Sequence, residues 1–370
     1  ASEINGLGQN SFRIFDTTGF IWEVVFMKNE FAGAINQFGL TFRQYRLLLS
    51  MQRLLVEDDI KREIDQDKIN LKRLWLEEWE GKVLKTIDES SADRSFISDM
   101  TALQQEIDIE KKSLQMSNLP LYLILLELCL FTPYYPLNSS RDKEYMTLKI
   151  ASFKTSYNIM LEKFSKFLGI DKNMVKVFQE SYKKSVTAIS GKTQSVLVGM
   201  VIGAIIVAIT AGFAAPAIAV LFAAEGLTGA AAIASGLAAL GGGAIAAGGL
   251  GMAGGIAVIV SGGALLGVGC GAGIGSLLQA SPDFALTQAA KLEVVIREII
   301  FLCQKDVRMI QEIIKEQRAA ICKLEDELLE LRISDEENKE KIKNLEKSIS
   351  YLKKALERYQ NIYMEANKNV

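Results

Sequence analysis

Apolar and polar residues alternate with a helical spacing over most of the chain outside its middle. Residues 40–119 contain no proline and one glycine, Gly81, and charged residues are interspersed there with Leu, Ile and Trp. This pattern predicts long, solvent-exposed helices with an apolar stripe. Trp75 and Trp79 are predicted to pack on a neighbouring helix rather than bind a ligand. The apolar run 121–131 is too short to cross a bilayer and is predicted to be core.

A second helical stretch is predicted to begin near Arg141. Its apolar positions recur alternately every four and three residues, which is the spacing of a coiled-coil seam. They are Met146, Ile150, Phe153, Tyr157, Met160, Phe164 and Phe167. Gly169 and Asp171 predict a helix end followed by a new start. The stripe then continues at Met174, Phe178 and Tyr182.

Residues 283–370 contain neither glycine nor proline. From Ile296, alternating steps of four and three residues reach twenty positions as far as Tyr363, and seventeen of these are apolar or aromatic. The exceptions are Gln317, Asp335 and Asn338. The pattern predicts one nearly continuous helix, about 100 Å or more in length at 1.5 Å per residue. A break at the capping box formed by Ser334 and Glu337 is the alternative.

Charge almost disappears in the middle of the chain. Between Lys192 and Lys291 only two residues are charged, Glu225 and Asp283. The thirty residues before Glu225 and the fifty-seven after it carry no charge. Each run exceeds the about twenty residues that cross the hydrocarbon core of a bilayer. A globular core of this length should contain polar surface positions at helical or strand spacing, so the pattern favours membrane insertion over an ordinary core.

Two segments of this insert are the best candidates for membrane-spanning helices. Residues 196–215 are the stronger one and end before Pro216, residues 254–278 are the second, and 226–250 form a weaker candidate of mostly Ala and Gly. The predicted membrane-inserting residues are Val196, Val198, Ile202, Ile205, Ile206, Val207, Ile209, Ile256, Val258, Ile259, Val260, Leu265, Leu266 and Val268. Glycines four residues apart allow close helix packing in lipid. They are Gly199, Gly203, Gly251, Gly255, Gly263, Gly267, Gly271 and Gly275.

The apolar stripes on either side of the insert are expected to pack side by side in water. Both flanks then lie on one side of a membrane, so the number of spans is even and two is the simplest number. Glu225 would lie near the far side, because moving one carboxylate across costs only a few kcal/mol on insertion scales. The lysines expected at the near face are Lys183, Lys184, Lys192 and Lys291.

Composition argues against catalysis and against nucleic-acid binding. The chain has 42 Lys and Arg against 44 Asp and Glu, so it lacks the excess of basic residues that binds nucleic acid. It has no histidine, the commonest general base and metal ligand. A GxGxxG match at 249–254 lies within an Ala/Gly tract, and Val186 stands where a phosphate-binding loop ending at 191–193 needs its first glycine. We predict no catalytic, cofactor or metal site, and expect the chain not to be an enzyme.

Helical seams flanking a large apolar insert resemble the layout of the cytolysin A superfamily of α-helical pore-forming toxins. The insert 196–278 lies between the seams 146–167 and 296–363. The chain is most similar to the hydrophobic, membrane-spanning component of multi-component members, the AhlB-like proteins and the Nhe/Hbl enterotoxin relatives. The resemblance implies an all-α fold, with an elongated tail bundle of long antiparallel helices and a hydrophobic Ala/Gly-rich head that rearranges into a transmembrane hairpin. The implied domains are tail helices in 1–190, the head in 191–282 and a long C-terminal coiled-coil helix in 283–370.

The same resemblance implies a function. The chain is expected to be secreted in soluble form, to enter the bilayer of a target cell, and to assemble as a homo-oligomer into a pore that lyses the cell. Neither predicted span carries a polar stripe, since Thr210 and Ser261 are isolated. A lumen built only from these spans would tend to dewet, so we expect one or two partner subunits, one of which supplies an amphipathic lumen-lining helix.

Two other functional classes stay open at this point. A permanent integral membrane protein with a coiled-coil stalk, acting as a scaffold, is the main alternative. Membrane-active proteins similar to apolipoprotein L or to colicins share the apolar hairpin and form a third class. In a soluble form the insert has to be hidden from water, either by self-association or under the Phe-rich segment 12–38.

Overall fold

The structure is a computed structural model that describes residues 40, 42–84, 95–114, 118–135, 137, 139–151, 156–191, 282–334 and 339–368. The helices of the first part are α1 (Phe42–Arg62), α2 (Gln66–Leu84), α3 (Met100–Ser113), α4 (Leu119–Leu130), α5 (Asp142–Tyr145), α6 (Asn158–Phe167) and α7 (Asn173–Ser190). The second part contains α8 (Pro282–Val294), a π-helical segment (Val295–Gln304), α9 (Val307–Ser334) and α10 (Lys339–Lys368). The described residues contain no strand, which confirms the predicted all-α class. These helices belong to one compact unit, Phe38–Val370.

The centre of the bundle is α4. Almost every side chain of this helix is buried, and it contacts α1, α6, α7 and the π segment. Pro120 suits the first turn because an amide hydrogen is not needed there. A helix that is apolar on all sides is stable only when it is surrounded by other helices. The prediction that 121–131 is core is therefore confirmed.

Helix α1 is also largely inside, which contradicts the prediction that 40–119 forms solvent-exposed helices. Its apolar residues are buried over most of its length, and it packs against α2, α3 and α4. Its charged residues are accommodated by pairing: Arg53 lies 2.9 Å from Glu57 and 2.6 Å from Glu80 of α2. The charge pattern of a helix does not show how many neighbours that helix has.

The two tryptophans of α2 are buried, and the partners of their indole nitrogens lie in the segment that follows α4 rather than on a helix. Trp75 and Trp79 are buried and stacked on each other with ring centroids 6.1 Å apart. Trp75 Nε1 donates to the Tyr135 backbone oxygen at 2.9 Å, and Trp79 Nε1 donates to the Tyr135 hydroxyl at 2.9 Å. These bonds satisfy the only polar atom of each indole. They fix α2 against the segment that follows α4.

A buried network around Asp59 holds α1, α2 and the segments after α4 together. The Lys72 ammonium lies 2.6 Å from Asp59 and 2.9 Å from Glu63. The Tyr134 hydroxyl donates to Asp59 at 2.5 Å, and the Ala151 amide donates to it at 2.6 Å. Buried charges are tolerated when they are paired and hydrogen-bonded in this way. The network is therefore a stabilising element of the bundle.

This network predicts a specific dependence of stability on pH. A hydrogen bond from Lys72 lowers the pKa of Glu63 from its ordinary value of 4.5. A carboxylate with a lowered folded pKa stabilises the fold above pH 4.5, and this stabilisation is lost as the pH falls through the folded pKa. We expect Glu63→Gln to lower the free energy of unfolding at neutral pH and to weaken its decline in acid, as measured by urea unfolding. Glu77→Gln, at an exposed position of α2, is the control; equal acid sensitivity of the two variants would contradict the assignment.

The predicted stop between two helices at Gly169 is confirmed. Helix α6 ends at Phe167 and Gly169 adopts a left-handed backbone with φ +74°. The Asp171 carboxylate then accepts from the Asn173 amide at 2.8 Å, where α7 begins. Glycine adopts this backbone without the steric penalty of a Cβ atom.

The predicted seam 146–167 does not lie on one helix. Helix α5 ends at Tyr145, Met146 is 54% exposed, and the next α-helix begins at Asn158. The Thr147 hydroxyl donates back to the Glu144 backbone oxygen at 2.7 Å. Such local side-chain bonds to the backbone compete with helix continuation. The spacing of the apolar residues alone did not show this competition.

The prediction of one continuous C-terminal helix is wrong. The π segment ends at Gln304, and the next residue, Lys305, turns the chain with a φ of +57°. Helix α9 ends at Ser334, where the alternative placed a break. Helices α9 and α10 pack against each other as an antiparallel hairpin. Its ion pairs are Arg332 with Glu346 at 2.5 Å and Glu325 with Lys353 at 2.5 Å. Apolar residues spaced alternately by four and three positions can be buried against a second helix of the same chain. The spacing therefore does not require one continuous helix.

Candidate functional site

The described residues stop at Gly191, just after α7, and resume at Pro282, where α8 begins. Gly191 ends α7 with φ +68°, and its amide donates to the Thr187 backbone oxygen at 2.9 Å. Glycine is the preferred residue for this left-handed helix end. Pro282 is the first residue of α8, a position where its fixed φ favours a helix start. The nearly uncharged part of the sequence therefore begins where α7 ends and stops where α8 begins.

Helices α7 and α8 lie side by side. The Ser181 hydroxyl donates to Glu298, just beyond α8, at 2.7 Å. Burial between the helices raises the pKa of Tyr182. The C-terminal half of α7 thus packs against α8 and the π segment. The helices on either side of the insert are therefore direct neighbours in the fold.

An ion pair anchors α8 in the core. Lys291 Nζ lies 2.8 Å and 3.0 Å from the two carboxylate oxygens of Glu127 on α4. The two side chains are only 2% and 4% exposed. Removing one member of such a pair leaves a buried charge without its counter-ion, which is far more costly than removing both. The pair therefore fixes the first helix after the insert to the central helix of the bundle.

This ion pair corrects one expectation about the near face of the insert. Lys291 does not lie at the surface but inside the bundle. Lys183 and Lys184 are exposed on α7, near the end where the insert begins. Lys192 lies outside the described residues. A lysine in the sequence beside an apolar run can neutralise a carboxylate in the core as readily as it can face a membrane, and Glu127 supplied that carboxylate.

A polar groove of about 370 Å³ lies between α7, the α8–π junction and α10. At its base Arg358 of α10 forms two hydrogen bonds of 2.6 Å with Glu293, which is 3% exposed. Arg297 lies on a second wall and makes only a 3.6 Å ion pair with Glu365. Val177 is the only apolar side chain that lines the groove. The groove therefore presents charges of both signs.

The predicted membrane-inserting residues, the far-side Glu225 and the predicted glycine contacts lie in 192–281, outside the described residues. The cover segment 12–38 lies outside them as well. The predicted domain boundaries and the membrane-inserting role of the insert stay predictions. Among the helices that the structure describes, none has the length and apolarity needed to cross a bilayer. Within the same residues, no group of three Asp, Glu or Cys side chains is placed to hold a metal ion.

Comparison of the chain with protein-family models, with curated proteins and with solved structures finds no match. The resemblance to the cytolysin A superfamily therefore depends on the organisation of the sequence.

Sequence reasoning missed both the ion pair and the groove. Glu127 is the single charge within an apolar run, and such a residue requires a buried partner, so the sequence did contain a signal for half of the pair. Nothing in the sequence indicated that the partner was Lys291. The groove combines residues of three helices that are far apart in the chain, and no local spacing predicts it.

Proposed function

We propose that residues 192–281 enter a lipid bilayer as a helical hairpin, and that the chain is the membrane-spanning subunit of a bacterial multi-component α-pore-forming toxin. One observation carries this proposal: the two helices that bound the nearly uncharged insert pack against each other within one compact unit. A segment held in this way crosses a membrane an even number of times while the bundle stays on one side. Two spans satisfy this requirement.

The apolar residues of the insert favour entry into lipid. On insertion scales each Val, Ile or Leu at the centre of a span contributes roughly −0.3 to −0.6 kcal/mol. Crossing of Glu225 opposes this by about 3 kcal/mol. In the soluble form the same apolar surface has to be covered, by the head packing on itself or by 12–38.

A partner subunit is part of this proposal. The predicted spans lack a polar face, so a ring of this chain alone would tend to exclude water from its lumen. The chain would then anchor and span the bilayer as a homo-oligomer, while another subunit lines the lumen with an amphipathic helix.

Planar-bilayer recording tests whether this chain spans the bilayer while another subunit lines the lumen. The purified chain alone is expected to bind the bilayer without large, stable conductances, and addition of the lumen-lining subunit is expected to produce them. Large, stable, water-filled conductances from the chain alone would contradict the proposal.

Cell fractionation distinguishes the proposed toxin subunit from the alternative, a permanent membrane protein that acts as a scaffold. A toxin subunit is expected in the supernatant or in a lysate prepared without detergent. Recovery only from the membrane pellet would favour a permanent integral membrane protein with a helical stalk.

A further inference from the structure

The groove between α7, the α8–π junction and α10 differs from an ordinary ligand pocket in its lining. Most ligand pockets are predominantly apolar with a few polar groups. Here Val177 is the only apolar side chain, and the remaining lining consists of six charged residues and two serines. A volume of about 370 Å³ lies at the low end for small-molecule sites. The charged side chains of the lining therefore favour a small ligand that itself carries charge.

Some of the charges in the groove already satisfy each other. Arg358 and Glu293 form two hydrogen bonds of 2.6 Å, so the positions of these two side chains in the groove are fixed. Lys184 is exposed on α7. Arg297 lies 3.6 Å from the carboxylate of Glu365. These two cations are accessible to a ligand. Both cations line the same groove, and a guanidinium and an ammonium are each able to bind a phosphate.

Two carboxylates face the same groove. Glu298 accepts one hydrogen bond, from Ser181 at 2.7 Å, and Glu180 lies 3.8 Å from Lys176 at the rim. A simple anion in the groove would be repelled by these carboxylates, and a simple cation would be repelled by Lys184 and Arg297. A ligand that carries both charges avoids both penalties.

We propose that this groove binds a zwitterionic organic phosphate, a phosphodiester bearing a cationic nitrogen, with the phosphate at Arg297 and Lys184 and the nitrogen at Glu298 and Glu180. Phosphocholine and phosphoethanolamine headgroups have this chemistry, both in phospholipids and in free glycerophosphodiesters.

The position of the groove favours the lipid source. Ser185, its lining residue nearest the insert, is six residues before Gly191, which corresponds to about 9 Å along a helix. The headgroup layer of a bilayer is roughly 5 to 8 Å thick. A bundle standing on the membrane at Gly191 would hold the near end of the groove at the outer edge of that layer. The lipid source rests on the proposed function, whereas the binding chemistry does not.

Titration calorimetry of the full chain with glycerophosphocholine tests the chemistry without a membrane. We expect binding, and we expect Lys184→Gln/Arg297→Gln to weaken it at least tenfold, the effect of losing one charge-assisted hydrogen bond. Lys166→Gln/Lys172→Gln removes two exposed lysines outside the groove and is expected to bind like the unchanged chain. Circular dichroism of both variants reports whether they keep the helical fold.

Three results would overturn the proposal: no binding of glycerophosphocholine, equal binding by the two double variants, or equally tight binding of inorganic phosphate alone. Flotation with vesicles identifies the source of the ligand. If lipid is the source, the groove variant binds phosphatidylcholine vesicles at least tenfold more weakly than the control variant. Equal flotation together with specific glycerophosphocholine binding would assign the groove to the free compound. Binding of the soluble compound does not require insertion, so a failure of the proposed function is distinguishable from a failure of this one.

Discussion

Lys291→Met is expected to lower the free energy of unfolding by about 3–5 kcal/mol. The ammonium of Lys291 is bonded to both carboxylate oxygens of Glu127 in a site that water barely reaches. Removing the ammonium leaves Glu127 in the apolar centre of the bundle without its counter-ion. Urea unfolding followed by circular dichroism measures the loss.

The double variant Glu127→Leu/Lys291→Met is the decisive comparison. Replacing both charges by apolar side chains of similar size is expected to restore most of the stability, because the cost arises from an uncompensated charge. Lys353→Met breaks the exposed pair with Glu325 and is expected to cost less than about 1 kcal/mol. If the double variant were as unstable as Lys291→Met, the pair would not be the interaction that anchors α8.

Ile205→Arg is expected to reduce membrane insertion more than hundredfold. Arginine at the centre of a span costs about 3 kcal/mol on insertion scales, and a tenfold change corresponds to about 1.4 kcal/mol. Ile259→Arg tests the second span in the same way. Vesicle flotation at several lipid concentrations gives the partition constants.

The matched control introduces the same residue into the bundle. Ile333 is 86% exposed at the end of α9, so Ile333→Arg is expected to leave both stability and flotation unchanged. Equal flotation of the Ile205→Arg and Ile333→Arg variants would mean that 196–215 does not enter lipid.

Residues whose environment follows from local composition were predicted correctly. The run 121–131 is apolar on all sides and therefore forms the core helix α4, and Gly169 with Asp171 marks a helix end because both residues act through the local backbone. Trp75 and Trp79 could be assigned to packing because large aromatic side chains are rarely left in water.

The remaining features depend on contacts between distant parts of the chain. The C-terminal seam fits one long helix and a hairpin equally well, and the left-handed turn at Lys305 and the end of α9 at Ser334 decide for the hairpin. The partner of Glu127 and the walls of the groove are set by tertiary packing. The sequence predicted the insert but neither the anchor beside it nor the polar groove near its base.

The most direct test of the proposed insertion places an environment-sensitive fluorophore on Ile205→Cys or Ile259→Cys in a variant lacking the four native cysteines. On vesicles, we expect a blue shift of the emission and strong quenching by nitroxides on the acyl chains. Fluorophores that stay accessible to iodide in the aqueous phase, with no acyl-chain quenching at either position, would contradict it.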